Sequence, residues 1–324
     1  KVAIIDQPLL EGHAEYDGKL KLYRRIGCEE AEPQMHGPAV ASLLVGEHCG
    51  AVPGAELYFW AVPSWKMDYS YYVKALEEIL DYNKDKTGKD RIAVVSISLG
   101  FVQEHKNLDL WKTTLDKARK TGLMVLHCGL PEFSGAACPV GKDRDDPKNY
   151  GVCRFLQARL GNIPEEGAIY LPIDFRTTAD CENKEGYVYF TDGGMSWAMP
   201  YAAGVIALGR QVDPSLDQET ALDLLRSSGH PFGKAVIINP KGFIERLKQK
   251  KGTMAASPVQ PLMPEAGETD PWSRNRAGID AKGPGVEDLC RERPDGVQER
   301  AVELRRSREG AAPLLPGKDP GPGG

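Results

Sequence analysis

No stretch of the 324 residues approaches the ~18 consecutive apolar residues of a membrane-spanning helix, which argues against an integral helical membrane protein. A basic excess is also missing. Forty-one Lys and Arg face 46 Asp and Glu, for a net charge of −5, so a nucleic-acid binder held by a basic face is excluded. The seven cysteines (Cys28, Cys49, Cys128, Cys138, Cys153, Cys181 and Cys290) are odd in number and contain no C-x-x-C pair. They fit no disulfide framework and read as free thiols of a reducing compartment, mostly buried as small apolar groups. Zinc ligation by Cys138, Cys153 and Cys181 finds no support in their spacing. No two histidines stand four apart on a helix, and His13, His48, His105, His127 and His230 read as solvated loop residues. Internal repeats are absent, and the opening residues are not expected to be a signal peptide. The chain opens on Lys1 directly into an apolar strand, as expected of a fragment or a processed form.

What is present divides near residue 250. Beyond it the basic residues turn from mostly lysine to mostly arginine, Pro, Gly and Ala dominate, and Trp272 is the one aromatic residue. Such a segment buries too little apolar surface to offset its ordering entropy. Residues 251–324 are therefore expected to be a disordered tail, with at most a short helix near Val297–Arg308.

Residues 1–250 form the expected globular domain, in which apolar strands alternate with helices. Strands are expected over Val2–Ile5, Glu56–Val62, Ile92–Ser98, Gly122–Leu126, Ile169–Ile173 and Tyr187–Phe190. Helices are expected over Met35–Val45, Tyr69–Tyr82, Leu108–Lys120, Ser196–Gln211 and Asp217–Ser227, with Asn83–Arg91 a solvated connection. Repeated β-α-β units with continuously apolar strands imply an α/β fold, a parallel sheet sandwiched by helices on both faces.

Three segments place a reactive group at the edge of an apolar element. Asp6 follows the strand Val2–Ile5, at the carboxyl edge where open α/β sheets bind ligands. His36 precedes Gly37-Pro38 and the helical Ala39–Val45. Ser196 follows the pair Gly193-Gly194, which allows a tight backbone approach before an apolar helix. Singly, each reads as a turn, surface or cap residue. Together they form an Asp…His…Ser series.

That series, in that order, resembles the subtilisin-like serine proteases. His36-Gly37-Pro38-Ala39-Val40-Ala41-Ser42-Leu43-Leu44-Val45-Gly46 is similar to the family's H-G-T-H-V-A-G-x-x-x-G. Gly194-Met195-Ser196-Trp197-Ala198-Met199-Pro200-Tyr201-Ala202-Ala203-Gly204 is similar to G-T-S-M-A-x-P-x-x-A-G. Gly50–Leu57 resembles G-V-A-P-x-A-x-L, and Val94–Gly100 resembles V-x-x-x-S-L-G. The resemblance covers roughly residues 1–248. It implies a subtilisin-like sheet, peptide-bond hydrolysis by Asp6, His36 and Ser196, and substrate held along Ser98, Leu99, Gly100 and Gly129.

Departures from the family pattern qualify that implication. Gln7 and Pro8 replace the usual Ser or Thr and Gly, so the turn holding Asp6 is expected to differ locally. Trp197 replaces Met and adds bulk beside the serine. Most consequential, Leu130 falls where the family's oxyanion Asn is expected, and leucine has no donor. Loss of that donor costs a subtilisin about 10²–10³ in turnover. His127 is the candidate substitute donor, with the Ser196 N–H as the other. Without rescue, the resemblance implies a catalytically weak domain that binds extended peptides. No cofactor is expected. Calcium is a family property for which Asp143-Arg144-Asp145-Asp146 is the nearest, unconvincing segment. The expected partner is a peptide or protein substrate, with no nucleic acid and no membrane span; the sequence is silent on oligomeric state, and for localisation only the free cysteines speak, weakly favouring an intracellular site.

Overall fold

The structure, a computed structural model, describes residues 1–252. The expected tail lies outside the described residues apart from its first two, and the segment near Val297–Arg308 is wholly outside them.

Five strands build the main sheet: β1 (Val2–Asp6), β2 (Leu20–Arg25), β3 (Leu57–Ala61), β4 (Val94–Ile97) and β5 (Met124–His127). They lie in the order β2-β3-β1-β4-β5, and every neighbouring pair is parallel. All residues of β1, β3, β4 and β5 are buried, which is why these strands read as continuous apolar runs. Alternate side chains serve opposite faces. Val2, Ile4, Phe59, Val94 and Leu126 face one apolar cluster. Ala3, Ile5, Trp60, Val95 and Val125 face the other.

Helices fill both faces. The second cluster is closed by α2 (Ser70–Asn83) and α3 (Leu108–Lys120), numbered after α1 (His36–Val45). Across the sheet, α1 is buried over nine of its ten residues, from Gly37 to Val45, consistent with a helix that carries almost no polar side chain. It packs beside α5 (Met195–Val212), which follows the short α4 (Arg154–Leu160). The chain order places β2 and β3 on one side of β1, and β4 and β5 on the other. The carboxyl ends of β1 and β4 therefore meet at a topological switch point, the place where such sheets open to ligands.

A second, mixed sheet contains β6 (Phe133–Ala137), β7 (Gly151–Val152) and β8 (Ile169–Pro172). A separate hairpin follows, β9 (Arg176–Ala179) with β10 (Tyr187–Phe190). After α6 (Gln218–Ser228), β11 (His230–Phe232) and β12 (Ala235–Ile237) complete the second sheet in the order β11-β12-β8-β6-β7. Helix α7 (Pro240–Gly252) ends the described chain.

Buried polar groups tie distant segments together. The fully buried Glu15 accepts from the backbone N–H of His48 and Cys49, both at 3.1 Å, and from Tyr187 Oη at 2.6 Å; it meets His48 Nδ1 at 2.9 Å. His13 is buried, not solvated. Its Nδ1 accepts from the Glu15 N–H at 3.1 Å and its Nε2 donates to the Gly186 carbonyl at 3.0 Å. The N-terminal loop is thus stapled to the β9–β10 hairpin. Asn83, at the start of the expected solvated connection, is also buried, and its side chain clips the backbone of Ile92 at both ends. Among the described residues no helix is long and apolar enough to cross a membrane.

Candidate active site

Asp6 ends β1 and is buried. Its Oδ1 accepts the Gln7 N–H at 2.7 Å and lies 2.6 Å from Nδ1 of His36. His36 opens α1 at the same edge. The next residue must be glycine, because a side chain at Gly37 would strike the Gln7 carbonyl. Burial works against protonating the His36 imidazole, but the Asp6 charge and hydrogen bond outweigh it and raise the pKa above the usual 6.5.

Ser196 is the second residue of α5, after Gly194 in extended conformation. Its N–H has no acceptor among the described residues, as expected of the first turn of a helix, and it lies at the positive end of the helix dipole. Its carbonyl is unusual. Pro200, four residues on, has no N–H to give, and Ser98 Oγ donates to that carbonyl instead at 2.9 Å. Ser196 Oγ makes a long 3.5 Å hydrogen bond to the Ser98 carbonyl, and no hydrogen bond joins it to His36. His36 instead meets the residue after Ser196: its ring lies 5.4 Å from that of Trp197. Catalytic hydrogen bonds commonly tighten only when substrate is bound.

The turn before Ser196 rests on Asp174, a residue the sequence analysis did not single out. Asp174 is fully buried, and its two oxygens accept the N–H groups of Gly193 and Arg154, each at 2.8 Å. Burial raises its pKa, and the two N–H donors oppose that rise. A side chain on Gly193 would strike the Ile173 carbonyl, so the serine turn is pressed onto the end of β8. Asp174 follows an apolar strand as Asp6 does. That position was the available signal.

Beyond β4 and β5 the two chains stay in contact. The Cys128 N–H donates to the Leu99 carbonyl at 3.1 Å, and Tyr69 Oη donates to that of Gly100 at 2.7 Å. Ser98, Leu99, Gly100 and Gly129 thus lie along adjoining chain segments, and Ser98 touches Ser196. The Phe101 ring covers Gly129, where a Cβ would lie 2.7 Å from it, and packs edge-on against His127 at 5.0 Å.

Leu130 is buried within the apolar cluster. His127 is buried rather than solvated. Its Nδ1 accepts the Gly129 N–H at 3.1 Å, which leaves the proton on Nε2, enclosed and without a partner. Burial, assisted by the charge of Arg119, lowers the His127 pKa to about 4. Burial and the Asp6 charge push the Cys128 thiol up to about 12, so it is no ready nucleophile. Asp143 and Asp146 cap the N–H groups of Asp145 and Lys148, and no three metal-ligating side chains gather among the described residues.

No protein-family model matches the chain, and no curated protein matches it by sequence. Solved structures do match across most of it. The prenylagaramide maturation protease PagA is 17% identical with a TM-score of 0.52, over 76% of this chain and 93% of that one. The subtilase cytotoxin SubAB is 13% identical with a TM-score of 0.55, over 78% and 91%. A mutant of the protease domain of PatA is 17% identical with a TM-score of 0.55, over 77% and 95%. The sheet order, the helices on its two faces and these superpositions together give this chain the subtilisin-like protease fold.

Proposed function

We propose that the chain is a serine endopeptidase that cleaves peptide bonds through an acyl-enzyme. One observation carries the reading: the 2.6 Å contact between Asp6 and His36, at the sheet edge where Ser196 enters its helix. Ser196 Oγ attacks the scissile carbonyl carbon while its proton passes to His36 Nε2. Collapse of the tetrahedral adduct breaks the C–N bond, and His36 gives the proton to the departing amine. Water, deprotonated by His36, then attacks the ester carbon; the bond to Ser196 Oγ breaks, and His36 returns the proton to that oxygen. Asp6 fixes the imidazole tautomer and stabilises the imidazolium without taking the proton itself. The oxyanion meets the Ser196 N–H and the positive end of α5.

A second reading, a peptide-binding domain of low activity, is favoured by Leu130, which adds an apolar wall where a donor would serve the oxyanion. Labelling with a fluorophosphonate, read by intact mass on folded wild type and Ser196→Ala, separates the two. A single adduct that is lost in the variant supports the peptidase. No adduct on folded wild type favours the peptide binder.

A further inference from the structure

Trp197 stands against the candidate general base. Its ring lies 5.4 Å from that of His36, with 30° between the planes. The imidazole thus lies within the ~6 Å range at which a cation gains from an indole face. The indole is firmly placed: the Phe190 ring packs on it at 5.3 Å, a Cβ on Gly193 would stand 2.7 Å from its Cδ1, and only 4% of the residue is exposed. Its Nε1–H is buried without a partner. An orphaned donor is costly, and the smaller Met or Leu would bring none. A tryptophan kept despite that cost points to a role for its ring.

We propose that Trp197 is a positioning residue for His36, an aromatic face that stabilises the imidazolium formed when the imidazole takes the Ser196 proton. The inference rests on the proposed hydrolytic role of Asp6, His36 and Ser196. Asp6 of β1 is the charged group facing the ring. Behind it lie the Tyr72 phenol of α2 and the Cys128 thiol, both pushed up by burial and the Asp6 charge and both neutral near pH 7. Asp6 acts in the plane of the imidazole through Nδ1, and Trp197 acts from a face. The two contributions are separable.

The sign of a pKa change tests the proposal. An indole that merely covered His36 would hold its pKa down by excluding water, so truncation would raise it. An indole that stabilises the cation holds the pKa up, so truncation lowers it. The experiment is a proton NMR titration of the His36 imidazole, assigned with His36→Gln, in wild type, Trp197→Leu, Trp197→Phe and Trp197→Met, each shown to be folded by thermal melt. The expected result is a fall of about 0.5–1 pKa unit in Trp197→Leu, with Trp197→Phe in between. An unchanged or raised pKa in folded Trp197→Leu overturns the proposal. Should that variant not fold, the order Trp above Phe above Met decides in its place, and its absence overturns the proposal. The titration needs no turnover, so it is independent of the Ser196→Ala labelling result that tests the peptidase itself.

Discussion

At the scale of single residues, two histidines at one sheet edge respond to pH in opposite senses. His36 has a raised folded-state pKa, so its contribution to stability is full below about 6.5 and is lost as pH rises through the folded value. His127 has a lowered one, so its contribution is full above about 6.5 and is lost as pH falls toward about 4. The His127 loss is bounded at about 3 kcal/mol. Urea unfolding of His127→Leu should therefore show a flatter acid limb than wild type, with the two curves converging in slope at neutral pH. An unaltered acid slope would dissociate His127 from acid lability. The sequence singled out Asp6, His36 and Ser196 because each sits in a motif with its own neighbours, and the fold brings Asp6 and His36 within 2.6 Å. It did not reveal Asp174, since an aspartate after a strand is the ordinary mark of a turn. Nor did it reveal the burial of His127, whose environment is made by Phe101 and α3 and not by its own strand.

At the scale of elements, α5 carries a proline in its interior, and the cost falls on the carbonyl of the candidate nucleophile. Ser98 makes good the missing hydrogen bond. Ser98→Ala should then destabilise by about 1–3 kcal/mol, because an acceptor loses its partner. Pro200→Ala restores a helical N–H to the same carbonyl, so Ser98→Ala should cost less in that background, with a coupling of about 1 kcal/mol. Denaturant unfolding of the four proteins in this cycle measures it, and strict additivity would refute the exchange. β1, β3, β4, β5 and β8 were legible as continuous apolar runs, and α1, α2, α3, α5 and α6 from helical spacing of their apolar residues. β2, β6, β7, β9, β11, β12, α4 and α7 were not: most are short or partly exposed, β6 (Phe133-Ser134-Gly135-Ala136-Ala137) carries no apolar run, and α7 is rich in charge.

At the scale of the molecule, the parallel sheet was legible because its apolar strands alternate with helices. The mixed second sheet was not, since no local pattern announces which short strands will pair. The Glu15 cluster was equally hidden, as its partners come from sequence positions 13, 48, 49 and 187. Glu15→Ala strands two backbone donors and the Tyr187 hydroxyl, and should lower unfolding free energy by about 3 kcal/mol in a urea titration. A change below 1 kcal/mol would mean that water replaces the carboxylate freely. The same staple bears on the hazard any endopeptidase poses to itself. The loop at 138–149 separates the main sheet from most of the second half of the chain. A nick there would still leave both fragments joined by the staple and by α5 packed against α1 and β4. Under the proposed endopeptidase activity, autolysis at that loop would yield a clipped species that migrates intact under native conditions and comes apart only in denaturant.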